Sequence, residues 1–185
     1  LRGGLELEVA PPQARLISVL VNLGTRVKAI SNDCVQFEYD GKLFHLYEWQ
    51  HADVRSAFCD FDWLDVKGKR VLDVGASIGD SALAFALRGA KEVVAFEPYP
   101  FPYGLAVKNV EANGLKNVKV VNAGVGGKDR SIMVTTGETT TGDDLKPSQE
   151  GVEVPVYSLD HVLEEYGPFD VMKMDCEGCE YEALA

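Results

Sequence analysis

Between residues 11 and 24 apolar side chains recur at Leu16, Ile17, Leu20 and Leu23, behind Pro11-Pro12 and ahead of Gly24. That spacing, with a proline start and a glycine stop, predicts an amphipathic helix. From Val35 to Tyr47 the period shortens: Val35, Phe37 and Tyr39, then Asp40-Gly41, then Leu43 and Phe44 to Tyr47. Aromatic and β-branched residues around a two-residue Asp-Gly predict a β-hairpin with a type I′ turn. Helix and hairpin together make an N-terminal cap over residues 1–60, too small to stand as an independent domain.

From Arg70 strand and helix signals alternate regularly. Val71–Val74 reads as a buried strand, Ser81–Leu87 as a helix through Ala82, Leu83, Phe85 and Ala86, and Glu92–Phe96 as a second strand. Pro102 opens a helix with the face Tyr103, Ala106, Val107 and Val110, closed by Asn113-Gly114, and Val118–Val121 is a third strand. This order predicts right-handed parallel crossovers: an α/β, Rossmann-like doubly wound sheet over residues 61–185 with helices on both faces.

The alternation pauses at Ser131–Thr135 and Val152–Val156, two extended arms around a stretch, 137–151, rich in Thr, Gly, Asp, Ser and Pro. That stretch reads as a mobile loop and a lid. Ser158 then caps a helix with the face Leu159, Val162, Leu163 and Tyr166, stopped by Gly167-Pro168, before a fourth strand, Val171–Met174. Only one short helix follows, so the sheet reads as C-terminally incomplete. The fourth strand is left as an exposed edge through which copies of the chain could associate.

Charge narrows the partners. The chain has 18 basic and 29 acidic side chains, net -11, a balance that repels a phosphate backbone and disfavours nucleic acid. No apolar run has the length of a membrane span and the first residues lack the shape of a signal peptide, which predicts a cytoplasmic protein. The first residue is Leu rather than Met, as in a trimmed or partial chain. Of Cys34, Cys59, Cys176 and Cys179 only the last two form a C-x-x-C, without the extra ligands of a zinc site or the context of a thioredoxin-like motif. The thiols are expected to be structural or incidental, and no metal site is expected.

The candidate chemistry begins at the turn Asp73-Val-Gly75-Ala76-Ser77-Ile-Gly79-Asp80. Its glycines alone fit either a cofactor-binding turn or only the tight strand-to-helix turn that any such sheet needs. A dinucleotide site wants G-x-G-x-x-G with a helix N-terminus free for the pyrophosphate. Here Ser77 and Asp80 take the second and third glycine positions, and the acid stands where the phosphate would sit. Asp73 and Asp80 instead attract a cation, which favours S-adenosylmethionine, a sulfonium with an α-ammonium and no phosphate. Gly75 and Gly79 would let the backbone approach this ligand closely. Glu97, directly after the second strand, is placed to accept hydrogen bonds from ribose hydroxyls, and Pro98 fixes the chain direction there.

After the third strand, the small residues Asn122-Ala123-Gly-Val-Gly-Gly127 leave room for a flat base. Asn122 either hydrogen-bonds adenine or caps a flexible loop. The fourth strand runs into Asp175-Cys-Glu177-Gly-Cys-Glu180, three carboxylates at the strand end where ligands bind in open α/β sheets. These are candidate ligands to a methyl acceptor, or a general base.

Five segments, Val71-Leu-Asp73-Val-Gly75-Ala-Ser77-Ile-Gly79-Asp80, Ala95-Phe-Glu97-Pro98, Asn109-Val-Glu-Ala-Asn113-Gly-Leu115, Ser158-Leu-Asp160 and Met172-Lys173-Met-Asp175-Cys-Glu177-Gly178-Cys-Glu180, resemble the FkbM-type methyltransferases in order and spacing. The resemblance spans about residues 58–185. It implies methyl transfer from S-adenosylmethionine, usually to an oxygen of a small molecule or sugar. It also implies binding roles for the first turn and Glu97 and an active-site position for Asp175 and Glu177. Ser77 departs from the Asn frequent in the family. The rivals are an RNA or protein methyltransferase on the same fold and a non-catalytic cofactor-binding module.

Overall fold

The computed structural model describes residues 14, 17, 18, 20, 21, 24–31, 33–39, 41–48, 61, 63–136 and 151–185. Near the N-terminus lie strands β1 (Arg26–Ile30), β2 (Cys34–Tyr39) and β3 (Lys42–Tyr47), in antiparallel order β1-β2-β3. β2 and β3 are the expected hairpin, paired from Tyr39–Lys42 to Cys34–Tyr47. Asp40 lies outside the described residues. β1 was not expected: its residues are mostly exposed and its register slips between Val27 and Ala29, so it offers little apolar periodicity to read. Of the expected first helix, Ala14, Ile17, Ser18, Leu20 and Val21 are helical and Leu20 is fully buried, while Leu16 and Leu23 lie outside the described residues.

Next come β4 (Arg70–Val74), α1 (Asp80–Leu87), β5 (Glu92–Phe96), α2 (Pro100–Ala112) and β6 (Val118–Val121), all close to the expected bounds. Further on are α3 (Leu159–Tyr166), β10 (Val171–Met174) and α4 (Cys179–Ala183). β10, β4, β5 and β6 form one parallel sheet in that order, so among the described residues the fourth strand of the alternation is an edge, as its position predicted. Successive side chains on a strand point to opposite faces. Val71, Val93 and Ala95 accordingly pack with Ala82 and Phe85 of α1, whereas Leu72, Val74, Val94 and Phe96 pack with Val162 of α3. Both faces are covered, which makes the arrangement doubly wound and Rossmann-like.

Some expected faces move. α2 begins at Pro100, and its buried positions include Leu105 and Asn109, while Tyr103 and Val107 are half-buried. Leu163 of α3 points outward, 44% exposed, because Val162 takes the core position. Ser158 caps α3 as expected, its Oγ accepting from the His161 amide at 3.2 Å.

Three more strands, β7 (Gly124–Gly126), β8 (Arg130–Val134) and β9 (Val152–Ser158), form a separate small sheet in the order β7-β9-β8. The two expected arms pair antiparallel as β8 and β9. The expected lid falls on residues 137–150, outside the described residues. No helix among the described residues is long and apolar enough to cross a membrane.

The outer edge of β3 is satisfied by side chains of α2 and of its C-cap, Asn113. Asn113 accepts from the His45 amide at 2.8 Å and donates to the His45 carbonyl at 2.6 Å. Asn109 accepts from the Tyr47 amide at 2.7 Å and donates to the carbonyls of Tyr47 and Ile78. Two asparagines one helical turn apart thus act as a neighbouring strand would and join the N-terminal sheet to the parallel one. The two also share an apolar cluster, Phe37, Phe44 and Leu46 with Ile78, Leu83 and Leu105. Asn109→Ala leaves buried backbone groups without partners and is expected to cost about 3 kcal/mol in urea denaturation. A loss below about 1 kcal/mol would mean that water replaces the amide.

Candidate functional site

The carboxyl ends of β4, β5, β6 and β10 converge where the chain leaves the parallel sheet. At the first exit Gly75 and Ala76 donate their amides to the Phe96 carbonyl, which folds the turn back over β5. Gly75, Ser77 and Gly79 all have positive φ, at 79°, 48° and 82°. Ser77 holds a left-handed conformation that Asn tolerates better, which gives a physical meaning to its departure from the family pattern.

The glycines serve packing. A Cβ on Gly75 would lie 2.1 Å from the Asp175 carbonyl oxygen, and one on Gly79 would lie 3.0 Å from Cα of Ala106 in α2. At these two glycines the direction a side chain would take is occupied by the chain itself. Close packing also occurs past β6. Gly124–Gly126 form β7, and a Cβ on Gly127 would lie 2.5 Å from the Glu182 carbonyl oxygen, so the small residues make room for α4.

The electrostatics of the site rest on three buried acids and one buried cation. Parallel register sets Lys173 beside Asp73. The Lys173 ammonium donates to the carbonyls of Val74 at 3.2 Å and Gly75 at 2.6 Å and lies 3.1 Å from Asp73 Oδ1. The contact with Oδ1 is a charge contact without hydrogen-bond alignment, so that oxygen has no hydrogen-bond partner among the described residues. Asp73 Oδ2 accepts from the Ser81 hydroxyl at 2.6 Å. Asp80 Oδ2 is buried with no partner among the described residues. The Glu97 carboxylate accepts from the amides of Ser77 at 2.8 Å and Tyr99 at 2.9 Å, one per oxygen, which leaves each oxygen a further lone pair.

Burial pushes the Asp80 carboxyl up to about 7, against the pull of Lys173 and with the help of the Asp73 charge. Burial likewise pushes Glu97 up to about 7, against the amides of Tyr99 and Ser77 and the charge of Lys173. Both folded values exceed those of an unfolded chain. Their stabilising contribution is therefore complete below about pH 4 and is lost as pH rises through about 7. The ligand-free protein is expected to lose several degrees of Tm between pH 5 and pH 8. Asp80→Asn should flatten that slope in differential scanning fluorimetry, and an unchanged slope would show that Asp80 does not titrate there.

The acid run after β10 divides. Asp175 and Glu177 are exposed, and Glu177 is held at φ 55°. Glu180 turns back on its own loop and accepts from the amides of Cys176 at 2.7 Å and Gly178 at 2.8 Å. Burial works to raise its carboxyl, but these amides and its own outweigh burial and hold it below the ordinary glutamate range. Glu180 is thus committed to shaping the turn. Cys176 and Cys179, expected as thiols, are joined in a disulfide. Cys34 is free and buried, and Cys59 lies outside the described residues.

Asp73, Gly75, Ser77, Asp80, Glu97 and Pro98 surround one corner of the sheet. Ala76 and Ala123 are fully buried in the two core clusters, where their methyl groups meet neighbouring apolar side chains. Asn122 donates both amide protons, to the carbonyls of Glu97 at 2.9 Å and Pro98 at 3.0 Å, so it pins the loop and keeps only its oxygen for a ligand. Lys173 and Ser81 were not expected at the site. A lysine within a strand otherwise rich in apolar residues was the available signal, but its partner depends on strand order. No group of three or more potential metal ligands occurs among the described residues.

The family profile for the Methyltransferase FkbM domain matches residues 73–185. The ribosomal protein L11 methyltransferase of Deinococcus radiodurans is 40% identical over 65 residues, 35% of this chain and 24% of that protein. The solved structure of methyltransferase FkbM from Methylobacillus flagellatus KT is 22% identical with a TM-score of 0.48, covering 70% of this chain and 32% of that one. That of M. jannaschii TYW2 in complex with AdoMet is 22% identical with a TM-score of 0.38, covering 52% and 46%. The chain spans less than half the length of each of these relatives.

Proposed function

Because the chain belongs to the FkbM methyltransferase family, we propose that it binds S-adenosylmethionine at the acidic corner and methylates an oxygen of a small molecule or sugar. The observation that carries the cofactor is the surplus of buried acid, Asp73, Asp80 and Glu97 around the ammonium of Lys173, with Asp80 Oδ2 lacking a partner among the described residues. Such a corner suits a cationic ligand and repels a pyrophosphate. The remaining lone pairs of Glu97 suit ribose hydroxyls, and Asn122 Oδ1 suits an exocyclic amine.

The bound cofactor would supply an activated methyl group. The protein's own part is alignment and exclusion of water. The exposed carboxylates of Asp175 and Glu177 hold the acceptor hydroxyl, and one of them takes its proton. Titration calorimetry with S-adenosylmethionine tests the first half. For the second, transfer of labelled methyl into a low-molecular-mass extract should fall at least about 100-fold in the Asp175→Asn, Glu177→Gln double variant, the scale of a lost general base. Full turnover in that variant would remove both residues from the chemistry.

A second reading, methyl transfer to a protein, is supported by the local identity with the ribosomal protein L11 methyltransferase. Size fractionation of the labelled product separates the two. Net -11 weighs against RNA. Cofactor binding without transfer to any fraction would mark a binding module.

A further inference from the structure

The turn after β10 carries a bond that methyl transfer does not require. The disulfide joins Cys176 and Cys179, whose Cα atoms are 5.5 Å apart, and closes a turn whose two central residues, Glu177 and Gly178, have φ of 55° and 119°. A glutamate keeps a left-handed backbone only where its surroundings impose it. One end of the bond is anchored: Cys179 is buried with Ala123, Val125 and Val162. The other end touches the first turn, since a Cβ on Gly75 would lie 3.1 Å from Cα of Cys176. Asp175 and Glu177 flank Cys176 and are exposed.

We propose that Cys176 and Cys179 form a redox modification site, at which thiol–disulfide exchange with a dithiol opens the turn that presents Asp175 and Glu177. An incoming thiolate attacks Sγ of Cys176, the less buried of the two residues. The S–S bond breaks, a mixed disulfide forms, and Cys179 leaves as a thiolate and is protonated. The second thiol of the reductant then displaces Cys176. Two electrons and two protons pass to the protein, which ends as a dithiol, while the reductant ends as a disulfide.

Glu180 still bonds the amides of Cys176 and Gly178 after reduction, so the turn loosens and does not unfold. The neighbouring carboxylates disfavour thiolates here and repel anionic thiols. A neutral dithiol such as dithiothreitol should therefore act faster than glutathione, with the gap narrowing as salt is added. That this switches the acceptor side of an enzyme rests on the function proposed above, whereas the exchange itself does not.

The test uses the full chain purified without reductant. Differential alkylation with mass spectrometry should find Cys176 and Cys179 protected from iodoacetamide until dithiothreitol is added. Hydrogen exchange over residues 175–184 should be at least about tenfold faster in the reduced protein and in the Cys176→Ser, Cys179→Ser variant, reflecting local opening. S-adenosylmethionine affinity, by calorimetry on the same samples, should change less than about threefold, a small coupling. If the double variant fails to fold, reduced wild-type protein carries the comparison. Both cysteines alkylated without reductant, or exchange unaltered by redox state, overturns the proposal. Faster exchange on reduction with no cofactor binding in either state would sustain the switch and sink the proposed function.

Discussion

Glu97→Ala is expected to weaken S-adenosylmethionine binding about 100-fold, or about 2.7 kcal/mol. The carboxylate has two tasks at one place. It takes the amides of Ser77 and Tyr99, which sets the shape of the first turn, and its free lone pairs are the ones proposed above for the ribose hydroxyls. Hydrogen bonds to a charged acceptor contribute roughly 1.5–3 kcal/mol each, so the figure corresponds to the loss of one such bond. Glu97→Gln keeps one acceptor oxygen and should fall between the two. Calorimetry near pH 8, where the carboxyl with its value of about 7 is mostly ionised, gives the largest contrast. Affinity retained within about threefold in the Glu97→Ala, Asp73→Ala double variant would remove these acids from the cofactor site.

The second large effect belongs to the fold. Gly75→Ala puts a Cβ 2.1 Å from the Asp175 carbonyl oxygen at a φ of 79°. A left-handed alanine costs about 1–2 kcal/mol by itself. The overlap is with backbone, which cannot turn aside as a side chain would. A total of about 4 kcal/mol or more is expected, with loss of the cooperative unfolding transition at 25 °C if the domain has ordinary stability. Gly68→Ala, at a similar φ of 72° but with nothing within 4 Å of the added Cβ, separates the two costs. It should lose only the conformational part.

The parallel strands could be read from the sequence because each announces itself locally. Val71–Val74, Glu92–Phe96, Val118–Val121 and Val171–Met174 are short apolar runs bounded by turn residues, and all four are strands. β1 could not be read because an exposed edge strand lacks an apolar face. At the site, the acids were legible as residue types at strand ends. Their partners were not, since Lys173 meets Asp73 only through the pairing of β10 with β4. The packing partners of the glycines were hidden for the same reason. A glycine signals that something comes close, and here the close neighbours are the carbonyls of Asp175 and Glu182, distant in sequence.

The pairing of β10 with β4 also has a kinetic side. Lys173 reaches the Gly75 carbonyl across 98 residues of sequence. Contacts of such separation bear a large loop-closure entropy and form late in folding. Until β10 docks, Asp73 and the first turn lack the ammonium that balances them. During synthesis the strands β4, β5 and β6 emerge well before it. The acidic corner is therefore expected to be among the last parts of this sheet to mature, and any ligand that needs the finished corner binds only after β10 has docked.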